Sequence, residues 1–141
     1  MNMTSMFAKP VTTVGPHTPL KTAARLMRKH NVGALVVTEE DHPTGIVTDR
    51  DIALAVCERD LTPDTPVQAV MTVPVETLRQ DEGVYDAVRK MMELRVRRLP
   101  VIDEMGRLVG LVSLDDLLLT LSRALNQLAE GVHPAPEEVG V

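Results

Sequence analysis

Two short stretches of this chain place a hydroxyl three residues ahead of an aspartate, directly after a glycine and two apolar residues. They are Gly45-Ile46-Val47-Thr48-Asp49-Arg50-Asp51 and Gly110-Leu111-Val112-Ser113-Leu114-Asp115-Asp116. A hydroxyl at a helix N-cap with an acid at the third helical position can form a capping box, which satisfies donors that a helix start leaves orphaned. The same geometry suits a ligand. A helix N-terminus with N–H groups and a hydroxyl favours a phosphate, and an aspartate one turn in can accept hydrogen bonds from the vicinal hydroxyls of a ribose. Spacing alone does not choose, since hydroxyl-x-x-acid is common. A cap can also exchange its backbone partner for a ligand.

The second glycine follows the first by 65 positions, and upstream of the motifs the correspondence continues at an offset of 64. Pro10-Val11 matches Pro74-Val75, Thr13 matches Thr77, Ala23 matches Ala87, Met27 matches Met91 and Val32 matches Val96. The extra residue of the second copy falls between Leu99 and Gly110, where a loop tip tolerates it. Two copies of so long a unit are no solenoid. They predict a pseudo-symmetric pair sharing one core.

Each copy reads β-α-β-β-α, an α/β fold. Residues 11–14 and 75–78, rich in β-branched side chains, predict short first strands. Residues 19–30 predict a helix with Leu20, Ala23, Ala24 and Met27 on one face, and Val84, Ala87, Val88 and Met91 mark its counterpart. The apolar runs 34–37 and 99–102 predict buried strands, with Pro100 at an edge or start where no ladder N–H is needed. Turns at 40–43 and 103–106 lead into third strands that carry the motifs. The last helices are expected from Asp49 to about Cys57 and from Leu114 to about Leu128. The expected division is a first unit at 6–59, a linker at 60–68, a second unit at 69–125, and a helix end with a disordered tail at 126–141, after a loose leader at 1–8.

Composition fits a small globular chain: 141 residues, 44% of them hydrophobic, can bury one core or two intertwined halves. No apolar run nears the roughly 20 residues of a membrane span, and no signal-peptide pattern opens the chain, so no membrane partner is expected. Cys57, the single cysteine, cannot form an intrachain disulfide and fits a reducing, cytoplasmic compartment. Late in its helix, it is expected to be packed or partly buried. The net charge of −5 divides as +1 over 6–59, −2 over 60–68, −1 over 69–125 and −3 beyond 125. Nearly neutral halves, with Phe7 and Tyr85 as the only aromatics, offer neither a basic nucleic-acid face nor a stacking platform. His17, His30, His42 and His133 lack metal-ligand spacing. No nucleophile elbow or base accompanies Ser113. Neither catalysis nor a metal is expected.

The layout resembles a tandem pair of CBS domains, the module named after cystathionine β-synthase and often called a Bateman pair. The carrying residues are Val32-Gly33-Ala34-Leu35-Val36-Val37 with the first motif, and Val96-Arg97-Arg98-Leu99-Pro100-Val101-Ile102-Asp103 with the second. The first turn departs from the second, lacking its glycine and carrying His42-Pro43. The resemblance implies an adenine nucleotide (AMP, ADP or ATP) as ligand in apolar clefts between strands, with no cofactor required. Within the motifs headed by Gly45 and Gly110, it places Thr48 and Ser113 at phosphate and Asp51 and Asp116 at ribose. Thr13 and Thr77 would lie beside the base through their backbones. Arg97 and Arg98 stand where ligand-binding members often place a basic residue against phosphate; the first copy has Gly33-Ala34 there, but carries Arg50 where the second has Asp115. Two equal sites are not expected.

The implied function is a regulatory module that senses an adenine nucleotide and signals occupancy to a partner protein without chemistry. Two alternatives stay open: a ligand-free dimerisation module whose motifs are only caps, or a regulatory subunit of a separate enzyme or transporter. Leu114, Leu117, Leu118, Leu121, Leu125 and Leu128, widened by Leu119, make a broader apolar stripe than one small sheet needs. CBS pairs commonly dimerise through these helices, so a homodimer is expected.

Overall fold

The computed structural model describes residues 11–132. The leader at 1–8 and the tail from 133, His133 included, lie outside the described residues. The first half runs β1 (Thr13–Val14), α1 (Leu20–His30), β2 (Ala34–Glu39), β3 (His42–Thr48) and α2 (Asp49–Cys57). A 3-10 turn at Val67–Ala69 leads to β4 (Leu78–Arg79), α3 (Val84–Leu94), β5 (Arg98–Ile102), β6 (Leu108–Ser113) and α4 (Leu114–Val132). Two three-stranded sheets result, ordered β1-β2-β3 and β4-β5-β6, each with one parallel and one antiparallel pairing. The duplicated β-α-β-β-α unit is borne out.

Each half closes its own core instead of sharing the single one expected, and apolar periodicity explains both. Leu20, Ala23 and Met27 bury one face of α1 against Leu35, Val37 and Val47 of the first sheet, with Ala55 of α2. Ala24, placed on that face by the spacing, is exposed. In the second half Ala87 and Met91 meet Leu99, Val101 and Val112, with Leu117 from α4. The middle strands β2 and β5 are covered on both faces, as their unbroken apolar runs require.

The stretch between the halves is packed rather than free. Val67 is fully buried in the first core, with Leu61, Val70 and Met71 against it. Pro19 caps α1 without a side-chain acceptor. Instead, the Leu20 and Lys21 N–H groups donate to the carbonyls of Thr65 (2.9 Å) and Pro63 (3.0 Å), satisfying two donors a helix start leaves open. Further on, Thr72 bridges to Ile46 of β3, its N–H donating to the Ile46 carbonyl at 2.8 Å. A Cβ at Gly45 would stand 2.6 Å from Met71 Sδ and 3.2 Å from the Thr72 carbonyl oxygen, so glycine is what admits this crossing. Gly45→Ala is expected to cost about 1–3 kcal/mol through overpacking. A urea titration monitored by circular dichroism measures it, and an unchanged midpoint would remove this role.

Several boundaries differ from the sequence expectation. In the first half the Val36 N–H donates to the Thr12 carbonyl (3.4 Å), and β1 starts at Thr13 rather than 11. The residue equivalent to Val36 is Pro100, which has no N–H. The matching ladder bond is therefore missing, β4 starts only at Leu78, and Thr77 stays outside the strand. Pro100 itself occupies the middle of a central strand, paired with Leu111, and not a strand edge or start. The first turn is tighter than 40–43. Glu40 and Asp41 alone form it, with φ of 50° and 66°, and His42 and Pro43 already belong to β3. The hairpin tips touch: the Leu108 N–H donates to the Asp41 carbonyl (2.8 Å), and His42 Nε2 lies 3.1 Å from the Met105 carbonyl. In the second tip Asp103 accepts the Arg107 and Met105 N–H groups (2.9 and 2.8 Å). These bonds, the Arg107 one foremost, hold its carboxyl below the ordinary value. Cys57 is exposed, not packed, because α2 turns only Ala55 fully inward. Helix α4 continues through Gly131 and Val132, four residues beyond the expected end.

Candidate functional site

The first N–H of each motif helix is tied to the residue ahead of the middle strand. Asp49 donates to the Gly33 carbonyl (3.0 Å) and Leu114 to the Arg97 carbonyl (2.8 Å). This bond sets the helix start beside positions 33 and 97, so side chains there look along the motif. Position 33 is glycine, and position 97 is arginine. Arg97 Nη2 pairs with Asp115 Oδ1 at 2.9 Å, both largely exposed. Such a pair is worth about 0–1 kcal/mol, so an arriving anion can take the guanidinium at little cost.

A cleft of about 270 Å³ opens between the halves. The first half supplies an apolar wall from Val11, Thr12, Val32, Gly33 and Ala34. The second supplies Arg97, Arg98, Leu111, Ser113, Asp115 and Asp116. Here the start of β5, the end of β6 and the first turn of α4 converge. Ser113 Oγ accepts the Asp116 N–H at 3.1 Å, so the hydroxyl caps the helix from the cleft wall. An apolar wall facing a helix N-terminus, two guanidiniums and an acceptor can hold an aromatic base at one end and an anion at the other.

The pseudo-symmetric counterpart is much smaller. About 70 Å³ lies among Ile46, Val75, Glu76, Val96, Arg98 and Leu99. Ligand sites span roughly 300–1,000 Å³, which sets the first cleft near the lower bound and the second far below it.

Of the residues singled out from sequence, Arg97, Arg98, Ser113 and Asp116 come together in the larger cleft. Thr13, Gly45, Thr48, Arg50, Asp51, Thr77 and Gly110 line neither cleft. Thr13 is exposed on β1, one residue past the cleft-lining Thr12. The Thr77 carbonyl accepts Lys90 Nζ at 2.6 Å. Arg50 is exposed in the first turn of α2. Gly110 is buried in β6 opposite Val101. Thr48 and Asp51 form a complete capping box: Thr48 Oγ1 accepts the Asp51 N–H (3.1 Å), and Asp51 Oδ2 accepts the Thr48 N–H (2.9 Å). Asp51→Ala is accordingly expected to lower stability by about 1 kcal/mol and to leave binding in the larger cleft unchanged. Melting and titration of the same sample check both; a binding loss larger than the stability loss would return Asp51 to the ligand.

Sequence reasoning missed the wall of Val11, Thr12, Val32, Gly33 and Ala34, which belongs to the opposite repeat. The periodicity marks these residues as strand and strand entry, and only the packing of one half on the other carries them to the second motif. Among the described residues no group of His, Cys, Asp and Glu is arranged to hold a metal, and no helix is long and apolar enough to cross a membrane.

A family model for the CBS domain matches residues 4–58 and 67–123. The CBS domain-containing protein YhcV of Bacillus subtilis is 39% identical over 84% of this chain and 80% of its own length. A further relative, from Methanopyrus kandleri, is 38% identical, and the match spans 64% of its length. The CBS domain protein PAE2072 from Pyrobaculum aerophilum, solved in complex with AMP, superposes with a TM-score of 0.75 at 26% identity, covering 87% of this chain and 99% of that one. The CBS domain pair of protein MJ0100, in complex with 5′-methylthioadenosine and S-adenosyl-L-methionine, gives 0.74 at 28% identity over 90% and 97%. Two model matches over most of the chain, two repeated sheets and structural neighbours matched along nearly all of their solved chains lead to one conclusion: this chain belongs to the CBS-domain family, as a tandem CBS pair.

Proposed function

We propose that this CBS pair is a non-catalytic, cytoplasmic regulatory module that binds an adenine nucleotide in the larger inter-repeat cleft and signals its occupancy to a partner protein. One observation carries the reading: Arg97, Arg98, Ser113 and Asp116 of the second repeat face an apolar wall of the first across one cleft. In this reading the arginines and the start of α4 take phosphate, Asp116 takes the ribose hydroxyls, and the base lies against Val11, Val32 and Ala34. The adenosyl ligands of the two structural neighbours support this ligand class. Because each half contributes one wall, ligand affinity differs between arrangements of the halves, which is how occupancy biases a partner. The first motif favours a different role for its own half, since its hydroxyl and acid already satisfy each other as a cap.

A thermal-shift comparison tests the proposal. AMP at 100 times its dissociation constant should stabilise the protein by about 2.7 kcal/mol, and GMP at the same concentration by less. The apolar wall accepts the base face, and selection falls to backbone groups near Thr12. Equal shifts with the two nucleotides would sink the adenine preference, and no shift with either would sink nucleotide binding.

A further inference from the structure

Arg98 is the residue that the two clefts share. Its counterpart in the first repeat, Ala34, lines only the larger cleft, next to Val32. By the same symmetry position 98 belongs to the smaller cleft, beside Val96 and Leu99, and only a long side chain reaches the other. The smaller cleft holds about 70 Å³ against 270 Å³. Two larger side chains stand at equivalent positions of its lining: Arg98 for Ala34, and Glu76 for Thr12. Among the described residues no carboxylate forms an ion pair with the Arg98 guanidinium.

We propose that Arg98 sets the number of ligands this CBS pair binds, its aliphatic stem plugging the smaller cleft while its guanidinium serves the larger one. The inference rests on the nucleotide reading above. Arginine stems settle on apolar surface while the charged head stays in a polar setting. Ile46, Val75, Val96 and Leu99 offer the stem such a surface, and the start of α4 with its incoming anion suits the head. Glu76 adds a second barrier, since its carboxylate opposes a phosphate at the smaller cleft. A tandem pair with two related clefts thus binds one nucleotide.

Calorimetric titration of the full chain, Arg98→Ala and Arg98→Met separates plug from charge. Adenosine probes the cleft volume without meeting Glu76 as an anion, and AMP probes the guanidinium. Arg98 is exposed and free of ion pairs to described carboxylates, so both variants are expected to keep the fold, which circular dichroism checks. The expected adenosine count is one per chain for the unaltered protein, two for Arg98→Ala and one for Arg98→Met, whose side chain still fills the cleft. AMP affinity for the larger cleft should fall about tenfold or more in both variants, as a charge-assisted hydrogen bond is lost. Two adenosines on the unaltered chain, one on Arg98→Ala, or two on Arg98→Met would each overturn the proposal. Absence of any binding to the unaltered chain, by adenosine and AMP alike, overturns the nucleotide reading itself.

Discussion

Leu121→Glu combined with Leu125→Glu is expected to yield a folded monomer. Helix α4 carries its leucines on one stripe, and only the first turn of that stripe reaches the core. Leu117 is fully buried in the second core and Leu114 packs partly against it. Leu118, Leu125 and Leu128 stand 57%, 66% and 65% exposed, and Leu121 beside them 39%. From Leu118 onward the stripe therefore lies outside the core cluster of its own chain. A contiguous exposed apolar band marks an interaction surface, and we propose that a second copy covers it, giving a homodimer. Two glutamates on each side of a self-complementary contact would bury unpaired carboxylates, each costing several kcal/mol. Light scattering reads the mass and circular dichroism the fold. A folded dimer would show that the contact lies elsewhere, and an unfolded chain would return the stripe to the core. Leu117→Ala supplies the contrast, with a loss of about 2–5 kcal/mol in stability from the cavity it leaves.

Asp116→Ala should weaken AMP binding about five- to a hundredfold. The carboxylate lines the larger cleft one turn into α4. In the proposed complex its loss leaves ribose hydroxyls buried without an acceptor, at about 1–3 kcal/mol. Adenosine should lose as much as AMP, because the contact is to the sugar. A matched pair of titrations decides this. An effect on AMP alone would move Asp116 to the phosphate end, and no effect on either ligand would remove it from the site. Asp51→Ala is the internal comparison: the two aspartates hold equivalent positions in the repeat, yet Asp51 completes a cap and lines neither cleft, while Asp116 lines the larger.

The repeated unit and its element order were legible because apolar spacing in each half is dominated by local burial. Leu20, Ala23 and Met27 or Leu35 and Val37 need only their own sheet to explain them. The caps were legible too, since Thr48 and Asp51 interact within one turn. Where the start of β4 differed, the cause lay in a neighbouring strand. The late start of β4 follows from an N–H that Pro100 lacks, on a different element 22 residues away. The likeness of the two motifs, by contrast, concealed their difference. Chain order alone determined that this protein holds two hydroxyl–aspartate helix starts in matched repeats. Tertiary packing decided which of them faces a cleft. Val11, Thr12 and Ala34 of one half wall off the helix start of the other, while the related cleft, lined by Arg98 and Glu76 in place of Ala34 and Thr12, holds only about 70 Å³.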